Sequence, residues 1–170
     1  MLHFYAAVTF NHKSALYFTK PTPALGSKEP KAEETFKIEH FIEVMESLAV
    51  EISSWFPKGS RWVLIRDHAS QHLSGRSKAA LASLGVRVKE DFPAQCWDIN
   101  IIENVWGMMD HQLLGRRAKT PDGWRHVCQE AFAAVAQSSI NALVEQVKAR
   151  MQAIKDKHGA WLKKAKKGYV

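Results

Sequence analysis

Two carboxylates stand where this sequence could do chemistry. Asp67 follows Arg66 at the end of the hydrophobic run Trp62-Val63-Leu64-Ile65. In α/β folds the carboxyl edge of such a strand is the usual place for a site. Glu103 falls in the first turns of a helix that begins near Asn100. If that helix packs beside the sheet, the two carboxylates converge. Converging carboxylates repel one another and are best stabilised by a divalent cation. Position alone leaves other uses open, because an Asp at a strand end also serves as a helix cap and a helical Glu is commonly solvated. His68 and His72, four apart, have the spacing of a zinc pair, but no third ligand accompanies them.

The elements that must position these groups are readable from periodicity. His3 to Phe10 and Ala15 to Thr19, rich in aromatic and β-branched residues around the polar break Asn11-His12-Lys13, read as a hairpin. Three prolines and a glycine between Pro21 and Pro30 mark a loop. From Glu33 to Phe56, Ile38, Phe41, Ile42, Met45, Leu48, Ala49, Ile52 and Trp55 recur at helical spacing, and Pro57-Lys58-Gly59 ends the pattern. The run Trp62–Ile65 suits a strand buried on both faces. Ser74 to Leu84 reads as a helix closed by Gly85, and Val86-Arg87-Val88 as another short strand. Phe92 to Cys96 is an irregular connection into a helix from about Asn100 to Leu114. Further helices are expected from Pro121 and from Ile140 to Lys167. Alternating strands and helices make an α/β domain. Trp55, Trp62 and Trp106 occupy core-facing positions, whereas Trp97 and Trp161 are the candidates for exposed stacking residues.

The bulk properties narrow the partners. The 170 residues suffice for one domain, or one domain with a tail. No run approaches the roughly 20 apolar residues of a membrane span, and no secretory signal is apparent at the start. Cys96 and Cys128 form no CxxC pair, so reduced thiols are expected. The net charge is +7, and six lysines against Asp156 between Lys155 and Lys167 account for +5 of it. A basic tail on a nearly neutral body points to a polyanion, DNA or RNA phosphates first, although a solvated helix end would read the same.

Two stretches sharpen this. Arg66-Asp67-His68-Ala69-Ser70-Gln71-His72 resembles the pattern hydrophobic strand, then Asp-Asn-Ala-x-x-His. Cys96-Trp97-Asp98-Ile99-Asn100-Ile101-Ile102-Glu103-Asn104-Val105-Trp106 resembles Ser-Pro-Asp-Leu-Asn-Pro-Ile-Glu-Asn-x-Trp. Together, with the two acids 36 positions apart, they resemble the second and third acidic blocks of mariner-like DDE transposases. The resemblance runs from about Phe4 to His126. It implies a ribonuclease-H-like fold and a two-metal centre of Mg2+ or Mn2+ that cleaves and transfers DNA strands. Carried over, Asp67 is a catalytic ligand shared between metals and Glu103 a ligand of one. His72 helps to orient the site, and Asn100 and Asn104 organise the turn of Glu103 by side-chain hydrogen bonds. DNA is the implied partner, with a homodimer in view. The implied location is the nucleus of a eukaryote or the cytoplasm otherwise. The nucleic-acid contacts expected of the tail are Lys163, Lys164, Lys166 and Lys167.

Departures accompany the match. His68 stands where the family has Asn, and Trp97 and Ile101 replace two prolines, so the entry to the Glu103 helix is less rigidly preset. The family's first acid lies on a central strand just ahead of the hairpin. No Asp or Glu precedes Glu29 here, and Glu29 lies in the proline-rich loop. The expectation is therefore a partial catalytic domain over residues 1–135, without the central first strand and inactive as this chain alone, followed by a helical lysine-rich tail over 136–170. A non-catalytic nucleic-acid-binding module and a helical interaction protein are the competing readings.

Overall fold

A computed structural model describes residues 3–19, 38–67, 69–93, 99–158, 164–165 and 168–169. The chain divides into two compact units. One comprises residues 1–7 and 14–92, the other residues 8–13 and 93–170.

The N-terminal hairpin is present, and its turn is tighter than the sequence pattern suggests. Strands β1 (Phe4–Tyr5) and β4 (Tyr17–Phe18) pair antiparallel, as do β2 (Val8–Thr9) and β3 (His12–Lys13). Thr9 faces His12, so the turn is only Phe10-Asn11, and Asn11 takes φ 70°. Asn tolerates this left-handed conformation better than most residues. His12 and Lys13, expected in the break, are therefore strand residues. Tyr5 faces Tyr17 while Val8 faces Lys13, which leaves one extra residue on the returning strand. At this bulge the Ala7 amide donates to the Ser14 hydroxyl at 2.9 Å, and the Ser14 amide donates to the Ala7 carbonyl at 2.9 Å.

In the first unit, helix α1 (Ile38–Ser54) buries Phe41, Val44, Met45, Leu48, Ala49 and Ile52 along one stripe. Leu81 and Val86 complete the core, with Tyr5, Tyr17, Trp55, Trp62, Leu64 and Val88 packed around it. Burying a side chain of this size stabilises by about 1.5–3 kcal/mol, so the stripe holds the unit together. Helix α2 (Ser70–Leu73) and helix α3 (Gly75–Ser83) follow. The Ser74 side chain caps α3 by accepting from the Ser77 amide at 3.1 Å. Its C-terminus closes as expected: Gly85 takes φ 69° and donates to the Ala82 carbonyl, and Val86 donates to the Leu81 carbonyl. This double bond pattern satisfies carbonyls that the helix leaves without partners.

The stretch around Leu64 differs from the expectation. Leu64 and Val88 form a parallel bridge, with Leu64 donating to the Arg87 carbonyl and Lys89 donating to the Leu64 carbonyl. Trp62 and Leu64 pack on the core, but Val63 is 47% and Ile65 50% exposed. The period is two, so one face is covered and the other open, rather than both being buried.

The second unit is built on three helices. Helix α4 (Ile101–Leu113) buries Val105 and Met109, helix α5 (Pro121–Ala134) buries Cys128, Ala131 and Phe132, and helix α6 (Gln137–Asp156) buries Ile140, Leu143 and Arg150. Thr120 caps α5 by accepting from the Gly123 amide at 3.0 Å, with Pro121 in the first turn, where its missing N–H costs nothing. The Trp106 and Phe132 rings lie 5.8 Å apart. Residues 137–156, expected as part of a tail, thus contribute core side chains. Beyond α6, β5 (Lys164–Ala165) pairs with β6 (Gly168–Tyr169), so the expected helix to Lys167 gives way to strand there.

Candidate active site

Asp67 sits three residues past Leu64, at the carboxyl end of the parallel bridge. Its side chain is 53% exposed, and its Oδ1 lies 2.5 Å from Nδ1 of His72. The Ala69 amide reaches the same oxygen at 3.4 Å. His72, on α2, is itself held on three sides. The Phe41 ring of α1 lies 4.6 Å from the imidazole and the Tyr5 ring of β1 lies 6.1 Å away. The Arg66 guanidinium donates to the His72 carbonyl. Arg66 is nearly buried, with Glu90 3.8 Å from its second nitrogen, and Lys78 is 3.5 Å from the other oxygen of Glu90.

These surroundings leave an electrostatic signature. Burial, and then the charge of Asp67, hold the Tyr5 hydroxyl well above its ordinary range. Burial pulls the Arg66 guanidinium down, against the opposing pull of Glu90 and Asp67. The structure brings Asp67 and His72 together. It adds Tyr5, Phe41 and Arg66, which sequence patterning assigns to the core or to the strand. Only their positions on the apolar faces of β1 and α1, or beside the acid, could have signalled them.

Glu103 lies in the first turn of α4 and is exposed. Its amide donates to the Asn100 carbonyl at 3.1 Å. Asn100 occupies the N-cap position, but its side chain makes no cap hydrogen bond. The Asn104 Oδ1 accepts from Nη1 of Arg150 at 2.9 Å. A contact from α6 thus joins this turn. The reason is packing: Asn104 is half-buried on the side of α4 that faces α6.

Asp67 belongs to the first unit and Glu103 to the second. Among the described residues no group of three or more His, Cys, Asp or Glu is gathered as a metal cage. The donors themselves suit a hard cation, being exposed carboxylates at the mouths of their elements. His68, Cys96, Trp97, Trp161, Lys163, Lys166 and Lys167 lie outside the described residues, and Lys164 lies on β5. Cys128 is a buried free thiol pushed up by burial, as a reduced structural cysteine would be. No described helix is long and apolar enough to cross a membrane.

No family model matches this sequence. The chain is 29% identical over 101 residues to the Tc1 transposase of Caenorhabditis elegans, a match covering 59% of this chain and 37% of that protein. It is 27% identical over 101 residues to the Tcb1 transposase of Caenorhabditis briggsae, again covering 59% and 37%. The chain thus spans well under half the length of these relatives. Its fold is similar to the crystal structure of the Mos1 mariner transposase catalytic domain, with a TM-score of 0.70 and 15% identity, over 95% of this chain and 82% of that one. The Mos1 paired end complex with Mn matches with a TM-score of 0.65 and 16% identity, over 76% of this chain and 39% of that one. The architecture is therefore the α/β fold of the mariner transposase catalytic domain. In sequence the chain is similar to the Tc1 and Tcb1 transposases, and in fold to the Mos1 mariner transposase catalytic domain.

Proposed function

We propose that this chain is part of the catalytic domain of a DNA transposase whose reaction is metal-dependent cleavage and transfer of DNA strands. The observation that carries the proposal is Asp67, presented half-exposed at the carboxyl end of the parallel bridge with His72 held against one of its oxygens. That is where the resemblance puts the family's second acid. Asp67 and Glu103 would hold Mg2+ or Mn2+. When bound, the metal pair of this family activates water or a DNA 3′-hydroxyl and stabilises the leaving oxygen. His72, in close contact with Asp67, limits the directions the carboxylate can take, and the Phe41 and Tyr5 rings hold His72. Arg66 anchors the turn that carries both. DNA is the partner, bound as a homodimer, in the nucleus if the host is a eukaryote and in the cytoplasm otherwise. The Mos1 complex with paired ends and Mn supports the DNA and metal assignments.

This sequence supplies two of the three acids the family's centre uses, with no Asp or Glu ahead of Glu29. The 170-residue polypeptide by itself therefore binds a divalent cation weakly and does not cleave DNA. The test is a Mn2+ titration followed by proton relaxation or calorimetry, with a plasmid-nicking assay on the same samples. Binding that weakens by roughly tenfold or more in Asp67→Asn supports the site. Binding identical in wild type and Asp67→Asn would sink it. Mn2+-dependent nicking that disappears in Asp67→Asn would uphold the site and overturn the inactivity.

A second reading is favoured by the local charge of +5 between Lys155 and Lys167. In it the chain is a non-catalytic nucleic-acid-binding module derived from a transposase. DNA affinity that is independent of Mn2+ and unaffected by Asp67→Asn would mark that case.

A further inference from the structure

Among the described residues of the second unit one charged side chain is buried in the core, and it reaches the helix turn that carries Glu103. Arg150, on α6, is 5% exposed. Its Nη1 donates to Oδ1 of Asn104 at 2.9 Å and its Nη2 donates to Oε1 of Gln146 at 3.1 Å. A guanidinium stays charged at all ordinary pH values, and burying it costs free energy unless its donors are matched. An apolar residue would pack this position more simply, since the neighbouring core residues of α6 are Ile140 and Leu143.

The first turn of α4 has reason to need such a contact. Its N-cap residue, Asn100, makes no side-chain cap bond, which is a common restraint on a first turn. Successive residues on a helix point about 100° apart, given roughly 3.6 per turn. Asn104 held by Arg150 and Val105 buried at 0% exposure together fix the rotation of this turn about the axis of α4. Glu103, one position before Asn104, is then directed to solvent.

We propose that Arg150 is a positioning residue which, through Asn104, sets the direction of the Glu103 carboxylate. This rests on the reading of Glu103 as a metal ligand. A buried Arg used only for packing would hold α6 and α4 together without any preference for the first turn.

Hydrogen exchange of the 170-residue chain, followed residue by residue, separates the two. Asn104→Ala and Arg150→Met are expected to speed exchange of the Glu103–Gly107 amides by about tenfold, while the Cys128–Phe132 amides of α5 change little. Arg150→Lys, which keeps the charge but not the planar fork, should recover part of the protection. In the same samples Mn2+ affinity should fall in Asn104→Ala by about as much as in Glu103→Gln. Exchange that rises evenly through α4, α5 and α6 would overturn the proposal and make Arg150 a packing residue. So would faster exchange confined to the first turn with Mn2+ affinity unchanged, where Glu103→Gln does weaken it. If Glu103→Gln itself leaves Mn2+ affinity unaltered, the metal reading fails, and the exchange pattern still reports whether Arg150 fixes the turn. Asn104→Ala keeps the test open should Arg150→Met fail to fold.

Discussion

Tyr17 and Tyr5 show how single residues in the first unit couple the hairpin to α1 and to the candidate site. The Tyr17 hydroxyl donates to Glu51 at 2.8 Å, and Glu51 also accepts from the Ala15 amide at 3.1 Å. Burial first, then the hydrogen bond and charge of Glu51, push the Tyr17 hydroxyl up to about 12. An unfolded tyrosine titrates near 10. The folded state therefore favours the protonated phenol, and its stabilising contribution is complete below pH ~10 and is lost as pH rises towards 12. Tyr17→Phe should flatten part of the fall in melting temperature between pH 10 and 12, as read by thermal scans. A slope identical to wild type would detach Tyr17 from the alkaline transition. Tyr5 is shifted in the same direction, so some dependence should persist in the variant.

At the scale of elements, Lys13 is the centre of the contact between the hairpin tip and the α5–α6 corner. Lys13 Nζ donates to the carbonyls of Phe132 at 2.9 Å, Ala133 at 2.8 Å and Val135 at 2.5 Å, and lies 5.3 Å from the Phe132 ring centre. Helix C-termini end in carbonyls without intrahelical donors and carry partial negative charge, so a cation there satisfies both needs. Around it, Asn141 accepts from the Asn11 amide at 2.9 Å, and Gln137 donates to the Thr9 carbonyl at 3.1 Å. Lys13→Met keeps the aliphatic stem and removes the donor, and should cost about 1–3 kcal/mol in urea denaturation. A change within about 0.5 kcal/mol would mean that solvent replaces the lysine at no cost. The sequence pattern puts Lys13 in a polar break, because a lysine beside Asn and His looks like turn chemistry. Only the partner helices, more than a hundred positions along, show what it does.

Over the whole molecule the charge asymmetry makes its own prediction. The segment from Lys155 to Lys167 carries +5 of the net +7. If the tail binds phosphates, neutralising Lys163, Lys164, Lys166 and Lys167 to Gln should weaken binding to duplex DNA. It should also lower the slope of log affinity against log salt by up to about 0.9 for each phosphate that a lysine no longer neutralises. Fluorescence anisotropy at several salt concentrations reads both, and an unchanged slope would remove the tail from DNA binding.

What the sequence determined by itself is what short-range rules govern. The stripe from Phe41 to Ile52 fixes α1, Ser74 and Gly85 bound α3, Thr120-Pro121 starts α5, and the acidic blocks around Asp67 and Glu103 mark the candidate site. Each follows from periodicity, capping or local motif, which need no distant partner. The tertiary structure decided the rest. Val63 and Ile65 look like residues of a fully buried strand, yet exposure depends on whether a second layer covers that face, and none does among the described residues. Asn104 reads as a local turn residue, and only the fold adds Arg150 of α6, across 46 positions, as a buried guanidinium donating to its oxygen. His72 could be matched to a motif, but the Phe41 and Tyr5 rings that hold it come from other elements. Local pattern records the preferences of neighbours in the chain. Burial and long-range hydrogen bonds are settled only when distant elements compete for the same space.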